Sequence, residues 1–169
     1  MVKSIIFDFG GVLYNIDYFA TTRKLAELSS RPDLLINMDL ESILTLPDNF
    51  ERGIISSTEF RKYLRDLYFI NGDDTKIDDC WNAMLLGLKS DSVNFVNTLK
   101  DKYKVVLLSN TNEIHYNYFY NETQGLIDIF DRTFFSHLIG LRKPDIEVYK
   151  YVCSEINCLP VETLFIDDS

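Results

Sequence analysis

The chain has 169 residues, 46% hydrophobic, 25% charged and 14% aromatic, an ordinary globular composition that excludes collagen-like, disordered and disulfide-scaffold classes. That length accommodates one full core and a small appendage, not two large domains. Seventeen basic against twenty-six acidic residues give a formal charge of −9, which repels phosphate backbones and excludes nonspecific nucleic-acid binding.

The first apolar run, Lys3 to Phe9, closes on Gly10-Gly11. Asp8 interrupts it too soon for a signal-peptide core. No apolar run approaches the length of a membrane span, so the expectation is a soluble cytoplasmic protein with no membrane partner. The run is continuous rather than alternating, as in a strand buried on both faces of a parallel sheet. Residues 15–89 then read as helical almost throughout. Ser56-Ser57-Thr58-Glu59 fits a capping box, followed by Phe60, Leu64, Leu67 and Tyr68 on one stripe. Asp73-Asp74 and Asp78-Asp79 read as turn and helix-start residues rather than as a metal site. Trp81 reads as packing between this helical segment and the core, with a wall of the substrate pocket as the alternative.

Beyond residue 89 the pattern changes. Ser90 to Lys102 carries Val93, Val96 and Leu99 at helical spacing and leads into a second buried strand, Lys104 to Leu108, which ends in Ser109-Asn110-Thr111-Asn112. His115, in an aromatic helix, reads as a packing or hydrogen-bonding residue, and no role is assigned to His137. Thr133 to Ser136 is a weaker strand. Pro144-Asp145 opens a helix with Ile146, Tyr149 and Val152–Cys153 on one face. The last strand, Leu164 to Ile166, ends in Asp167-Asp168-Ser169. Cys80, Cys153 and Cys158 have no metal-ligand spacing and read as reduced thiols in packing.

Strand alternating with helix predicts an α/β fold, a doubly wound, Rossmann-like parallel sheet. Residues 1–14 and 90–169 are assigned to that core, and residues 15–89 to a helical subdomain over the end of the sheet. A parallel strand is normally followed by a covering helix, so the native chain is expected to continue past Ser169 by about one more helix and strand.

In a parallel sheet the carboxyl ends of the strands share one edge, where ligands bind. Asp8, Ser109, Asp167 and Asp168 all fall there, and Lys143 lies in a loop that can reach the same pocket. Clustered carboxylates repel unless a cation sits among them, and hard oxygen ligands suit Mg²⁺. A metal, a lysine and a small hydroxyl donor make a site for a phosphoryl group, and a carboxylate aimed at phosphorus can form an aspartyl-phosphate. Gly10-Gly11 lets the backbone approach the substrate and present amides to its anionic oxygens.

These residues resemble the motifs of the haloacid dehalogenase superfamily, in order: Asp8-Phe9-Gly10-Gly11-Val12-Leu13, Leu108-Ser109-Asn110-Thr111-Asn112, Gly140-Leu141-Arg142-Lys143-Pro144-Asp145 and Phe165-Ile166-Asp167-Asp168-Ser169. The helical insert matches the position of that family's cap. Phe50-Glu51-Arg52-Gly53-Ile54-Ile55-Ser56, Ser109 to His115 and Leu141-Arg142-Lys143-Pro144 are most similar to its glucose-1-phosphate phosphatase-like branch. The resemblance implies a Mg²⁺-dependent phosphatase of a small phosphorylated metabolite such as a sugar phosphate. It makes Asp8 the nucleophile and a metal ligand, with the Gly10 carbonyl a second ligand. Asp168 would be the main carboxylate ligand of the last motif, and Asp167 a ligand through water or an orienting group. Ser109 and the Asn110 amide would hold phosphoryl oxygens, and Lys143 would offset the charge of Asp8 and of the phosphate.

One position departs from the resemblance. The family's first motif usually carries a second Asp two residues after the nucleophile as general acid and base; here that position is Gly10. Asp17, the nearest later carboxylate, reads as a helix cap. Without that acid, esters with an acidic leaving group, such as anomeric sugar phosphates, are the favoured substrates. Three rival functions follow: a haloacid dehalogenase, against which the retained Asp167-Asp168 pair argues; a catalytically silent binding or regulatory protein; and a phosphorelay receiver, whose acidic pair would follow the first strand.

Overall fold

The computed structural model describes residues 1–168. In chain order its elements are β1 (Ser4–Phe7), β2 (Tyr14–Ile16), α1 (Tyr18–Leu28), α2 (Asp33–Ile36), α3 (Leu40–Thr45), α4 (Asp48–Glu51), α5 (Ser57–Tyr68), α6 (Asp74–Asn82), β3 (Leu85–Leu88), α7 (Ser92–Lys100), β4 (Lys104–Ser109), α8 (Glu113–Ile127), β5 (Arg132–Phe135), α9 (Ser136–Ile139), α10 (Ile146–Glu155) and β6 (Thr163–Ile166). The main sheet runs β5-β4-β1-β6, with every pairing parallel. Phe7 sits opposite both Leu107 and Ile166, so the chain leaves β1, β4 and β6 on one edge.

The strand alternation explains how two helical layers form. Ile5, Phe7, Val105 and Leu107 point to one face and pack with Val96 of α7 and Phe119 and Leu126 of α8. Ile6, Val106 and Leu108 point to the other and pack with Val148 and Val152 of α10. Both faces of β1 and β4 are therefore apolar, which is why those runs read as continuous. The α10 face differs from the sequence expectation. Val152 and Cys153 turn inward as expected and Tyr149 packs beside them, but Val148 takes the place on that face expected of Ile146, which is exposed.

Between β2 and β3, the helices enclose a second core of Leu25, Leu35, Phe50, Phe60, Ile77 and Trp81. The Phe50 and Phe60 rings stack at 4.4 Å, and Trp81 meets Phe60 edge-on at 4.7 Å. Asp17 caps α1 by accepting from the Phe19 amide, as expected. The capping box at Ser56 and Glu59 is complete, a feature worth about 1 kcal/mol. Phe60 and Leu64 are buried behind it, but Leu67 is exposed.

The segment 15–89 is not helical throughout. Tyr14–Ile16 and Leu85–Leu88 form an antiparallel ribbon, pairing Tyr14 with Leu88 and Ile16 with Leu85. This ribbon crosses the first expected boundary of the helical segment and ends just inside the second. Three residues are too few to display a strand period, and the pairing joins distant parts of the chain, so no local pattern announces it. No helix among the described residues is long and apolar enough to cross a membrane.

Candidate active site

Asp8 follows β1, and its backbone N–H donates to the Ile166 carbonyl at 2.9 Å, fixing the first and last motifs side by side. Its Oδ1 accepts from the Phe9 amide at 2.6 Å, and its Oδ2 meets Lys143 Nζ at 2.8 Å. The same ammonium reaches Asp167 Oδ2 at 2.6 Å and lies 5.4 Å from the centre of the Phe165 ring. Burial pushes the Asp8 carboxyl up to about 6, the Lys143 charge pulls it back down, and Asp167 adds to the rise. Asp8, Asp167 and Asp168 each present a carboxylate oxygen, and these oxygens lie within 4.8 Å of one another.

Asp168 owes its position to Gly11. That residue has φ +72, and a Cβ built on it would stand 1.8 Å from Asp168 Oδ2. The Gly11 N–H, expected as an amide donor to substrate, donates to the Tyr14 carbonyl at 2.9 Å, closing the turn into β2. Its carbonyl accepts from Lys89 Nζ. Glycine is required there for the close approach of Asp168. Gly11→Ala places an L side chain in the left-handed region at about 1–2 kcal/mol and must also displace the Asp168 carboxylate. The expected result is a Tm lowered by about 2–8 °C, read by thermal denaturation, together with weaker divalent-cation affinity. An unchanged Tm and affinity would contradict this account.

Ser109, the last residue of β4, is buried, and its hydroxyl makes only a long 3.4 Å contact with the Asn110 carbonyl. Asn110 differs from the expectation in part. Its side-chain carboxamide donates to the Lys143 carbonyl and accepts from the Lys143 N–H, both at 2.9 Å. That clamp makes the side chain a positioning group for Lys143. Ser136 braces the same loop, accepting from the Thr111 N–H and donating to the Thr111 carbonyl, both at 2.9 Å. Nothing in the sequence pattern pointed to Ser136.

These groups open into a cavity of about 1030 Å³ roofed by the helical layer. Gly10 lines it, and a Cβ there would meet Ile16 Cγ1 at 3.3 Å. Tyr18, at the start of α1, also lines it. Burial, then the charges of Asp168, Asp8, Glu51 and Asp167, push its phenol up to about 12. Glu51 of α4 pairs with Arg142 at 2.9 Å, and burial pushes its carboxyl up to about 7. Arg142 also holds Asp48 at 2.6 Å, while Arg52 holds Asp145 at 2.7 Å. The helical layer is thereby tied to the loop that carries Lys143. Glu51 and Arg142 stand within the matching motifs, but ion pairs between distant segments leave no periodic trace by which the sequence would reveal their role.

His115 behaves as the sequence suggested. Asn112 Nδ2 donates to its Nδ1 at 3.1 Å, and its Nε2 donates to the Trp81 carbonyl at 3.1 Å. Burial holds its pKa down to about 4, so the ring is neutral and stacks on Trp81 at 5.3 Å. The three cysteines are free thiols.

Comparison with known proteins agrees with this geometry. The family model described as haloacid dehalogenase-like hydrolase matches residues 2–169. The chain is similar to a D-ribitol-5-phosphate phosphatase of Bacteroides thetaiotaomicron, 30% identical over 99% of this chain and 84% of that enzyme. It is also similar to a sesquiterpene phosphatase of Aspergillus oryzae, 27% identical over 98% of this chain and 80% of that one. Among solved structures, a HAD family enzyme from Bacteroides thetaiotaomicron in complex with magnesium and inorganic phosphate superposes with a TM-score of 0.84, at 29% identity, over 100% of this chain and 86% of that one.

Proposed function

We propose that this chain, which belongs to the haloacid dehalogenase-like hydrolases, is a phosphatase that cleaves small phosphomonoesters by way of an aspartyl-phosphate on Asp8. The observation that carries this reading is the cluster of Asp8, Asp167 and Asp168 oxygens within 4.8 Å, with Lys143 bridging Asp8 and Asp167. Three hard oxygen donors around one point fit Mg²⁺ better than a softer metal. Asp8, Asp168 and, directly or through water, Asp167 would hold it, with the Gly10 carbonyl a further donor. The chemistry a bound Mg²⁺ supplies is neutralisation of charge on the phosphoryl oxygens.

The residues of the chain do the rest. Lys143 Nζ holds Asp8 in its ionised form and faces the incoming phosphate. The Ser109 hydroxyl and the Asn110 backbone amide are placed to donate to phosphoryl oxygens. An Asp8 carboxylate oxygen forms a bond to phosphorus as the bond from phosphorus to the ester oxygen breaks, and the alcohol leaves after taking up a proton. Water then attacks the phosphorus of the acyl phosphate, releasing inorganic phosphate and restoring the carboxylate. The helical layer acts as a cap over this centre, with residues 1–14 and 90–169 the catalytic core.

The test is turnover of phosphomonoesters with and without Mg²⁺. Chelation should lower the rate by about 10²-fold or more, since metal charge stabilisation is worth several kcal/mol. Rapid acid quench should trap a labelled phosphoenzyme that Asp8→Asn lacks. Metal-independent hydrolysis, or a phosphoenzyme that survives in the variant, would sink the mechanism.

A further inference from the structure

The wall of the cavity beyond the carboxylate cluster is built for an apolar group. Its volume of about 1030 Å³ is at the upper end of small-molecule sites, which span roughly 300–1,000 Å³. Ile16 from β2, Leu40, Ile43 and Leu44 from α3, and Trp81 and Met84 at the end of α6 line it. Leu40 and Leu44 are 42% and 40% exposed, so part of their apolar surface stays open to the cavity and to solvent.

Several polar side chains among them are already engaged. Thr21 Oγ1 donates to the Trp81 carbonyl at 2.8 Å, and Thr45 Oγ1 to the Glu41 carbonyl at 3.0 Å. Both ring nitrogens of His115 are bonded, and Arg142 is held between Asp48 and Glu51. A polyol placed against α3 would bury its hydroxyls on the side chains of Leu40, Ile43 and Leu44, which offer no hydrogen bond. Each unpaired hydroxyl weakens binding by roughly 5- to 100-fold. The Glu41 carboxylate on the wall disfavours a second anionic group.

Resting on the phosphatase reading, we propose that the substrate is the monophosphate of an apolar alcohol, an aliphatic or isoprenoid chain whose body lies against α3 and Trp81, rather than a sugar or sugar-alcohol phosphate. The phosphate sits at Asp8 and Lys143, and the chain covers Leu40, Ile43 and Leu44.

A homologous series of n-alkyl phosphates isolates this contact, because lengthening the chain leaves the acidity of the departing alcohol almost unchanged. With Mg²⁺ present, kcat/KM should rise roughly fourfold per methylene over several carbons, the value of a buried CH₂. The affinity of matched, non-hydrolysable alkylphosphonates, measured by calorimetry, should climb with the same slope. Leu44→Asn, at a half-exposed position that folding tolerates, should flatten both slopes. Turnover that is independent of chain length, or that is faster on ribitol 5-phosphate than on the best alkyl ester, overturns the apolar assignment and leaves the phosphatase reading standing. Absence of all turnover while phosphonate affinity still climbs overturns the phosphatase reading and keeps the apolar wall. Flat binding without turnover overturns both.

Discussion

Asp8→Asn should remove turnover, with kcat falling by at least about 10³-fold, the scale of losing a nucleophile in a preorganised site. The amide is nearly the same size as the carboxylate, so packing at the end of β1 is undisturbed. It is a poor nucleophile, and it removes one of the two anions that Lys143 contacts, at 2.8 Å. Lys143 retains Asp167 at 2.6 Å, so the ammonium is not left alone. The substitution should not destabilise the protein, and the sign follows from the protonation equilibrium. Burial raises the Asp8 pKa from 3.8 to about 6 in the folded chain. A raised carboxyl pKa means that the folded state binds the proton more tightly than the unfolded state, so its contribution to stability falls as pH rises from about 4 through about 6. At pH 7 the charged group is a net cost, and a neutral amide removes it. Without metal, the Tm of the variant at pH 7 should equal or exceed that of the wild type, while the two converge near pH 4. A variant that keeps activity within tenfold, or that unfolds well below the wild type at pH 7, contradicts this assignment.

What made Asp8 findable explains what was legible in this sequence. β1 and β4 are buried on both faces, so their runs are uninterrupted, and each stops on a polar residue at the sheet edge. Asp8, Ser109 and Asp167 announce themselves as the first polar residues after apolar strands, and parallel pairing in the register of Phe7 with Leu107 and Ile166 brings them together. Lys143 was legible as a loop cation of the right reach. Geometry that depends on partners distant in sequence was not. The Gly11 amide belongs to Tyr14, the Asn110 carboxamide to the Lys143 backbone, and Arg142 to Asp48 and Glu51. In each case composition permits many partners, and only the folded chain selects one. The exposure of Leu67 and Ile146 has a simpler cause: a helical stripe includes residues at its rim that periodicity alone counts as core.

The second large effect is a gain. Gly10→Asp should raise kcat on alkyl phosphates by about 10- to 10³-fold, within the range that general acid–base catalysis contributes. Gly10 lines the cavity beside Asp8, and unlike Gly11 its backbone does not occupy the left-handed region that demands glycine. A Cβ there would meet only Ile16, at 3.3 Å from Cγ1, so a shift of a few tenths of an ångström in that half-buried side chain makes room. The new carboxylate would stand two residues beyond the nucleophile, able to protonate the departing oxygen and then to take a proton from the attacking water. An alkoxide is a far stronger base than a nitrophenolate, so protonation matters much more for the first. The ratio of kcat/KM for decyl phosphate over p-nitrophenyl phosphate should therefore rise at least about 10-fold in the variant, both esters being measured at saturating Mg²⁺. A wild type limited by leaving-group departure should in addition turn over the aryl ester faster than the alkyl ester. Equal acceleration of both esters would mean that the carboxylate acts on metal or phosphate binding rather than on the proton. A loss of activity on both, with the Tm unchanged, would mean that Gly10 is kept for the approach of substrate to the backbone and that the missing acid is not what limits this enzyme.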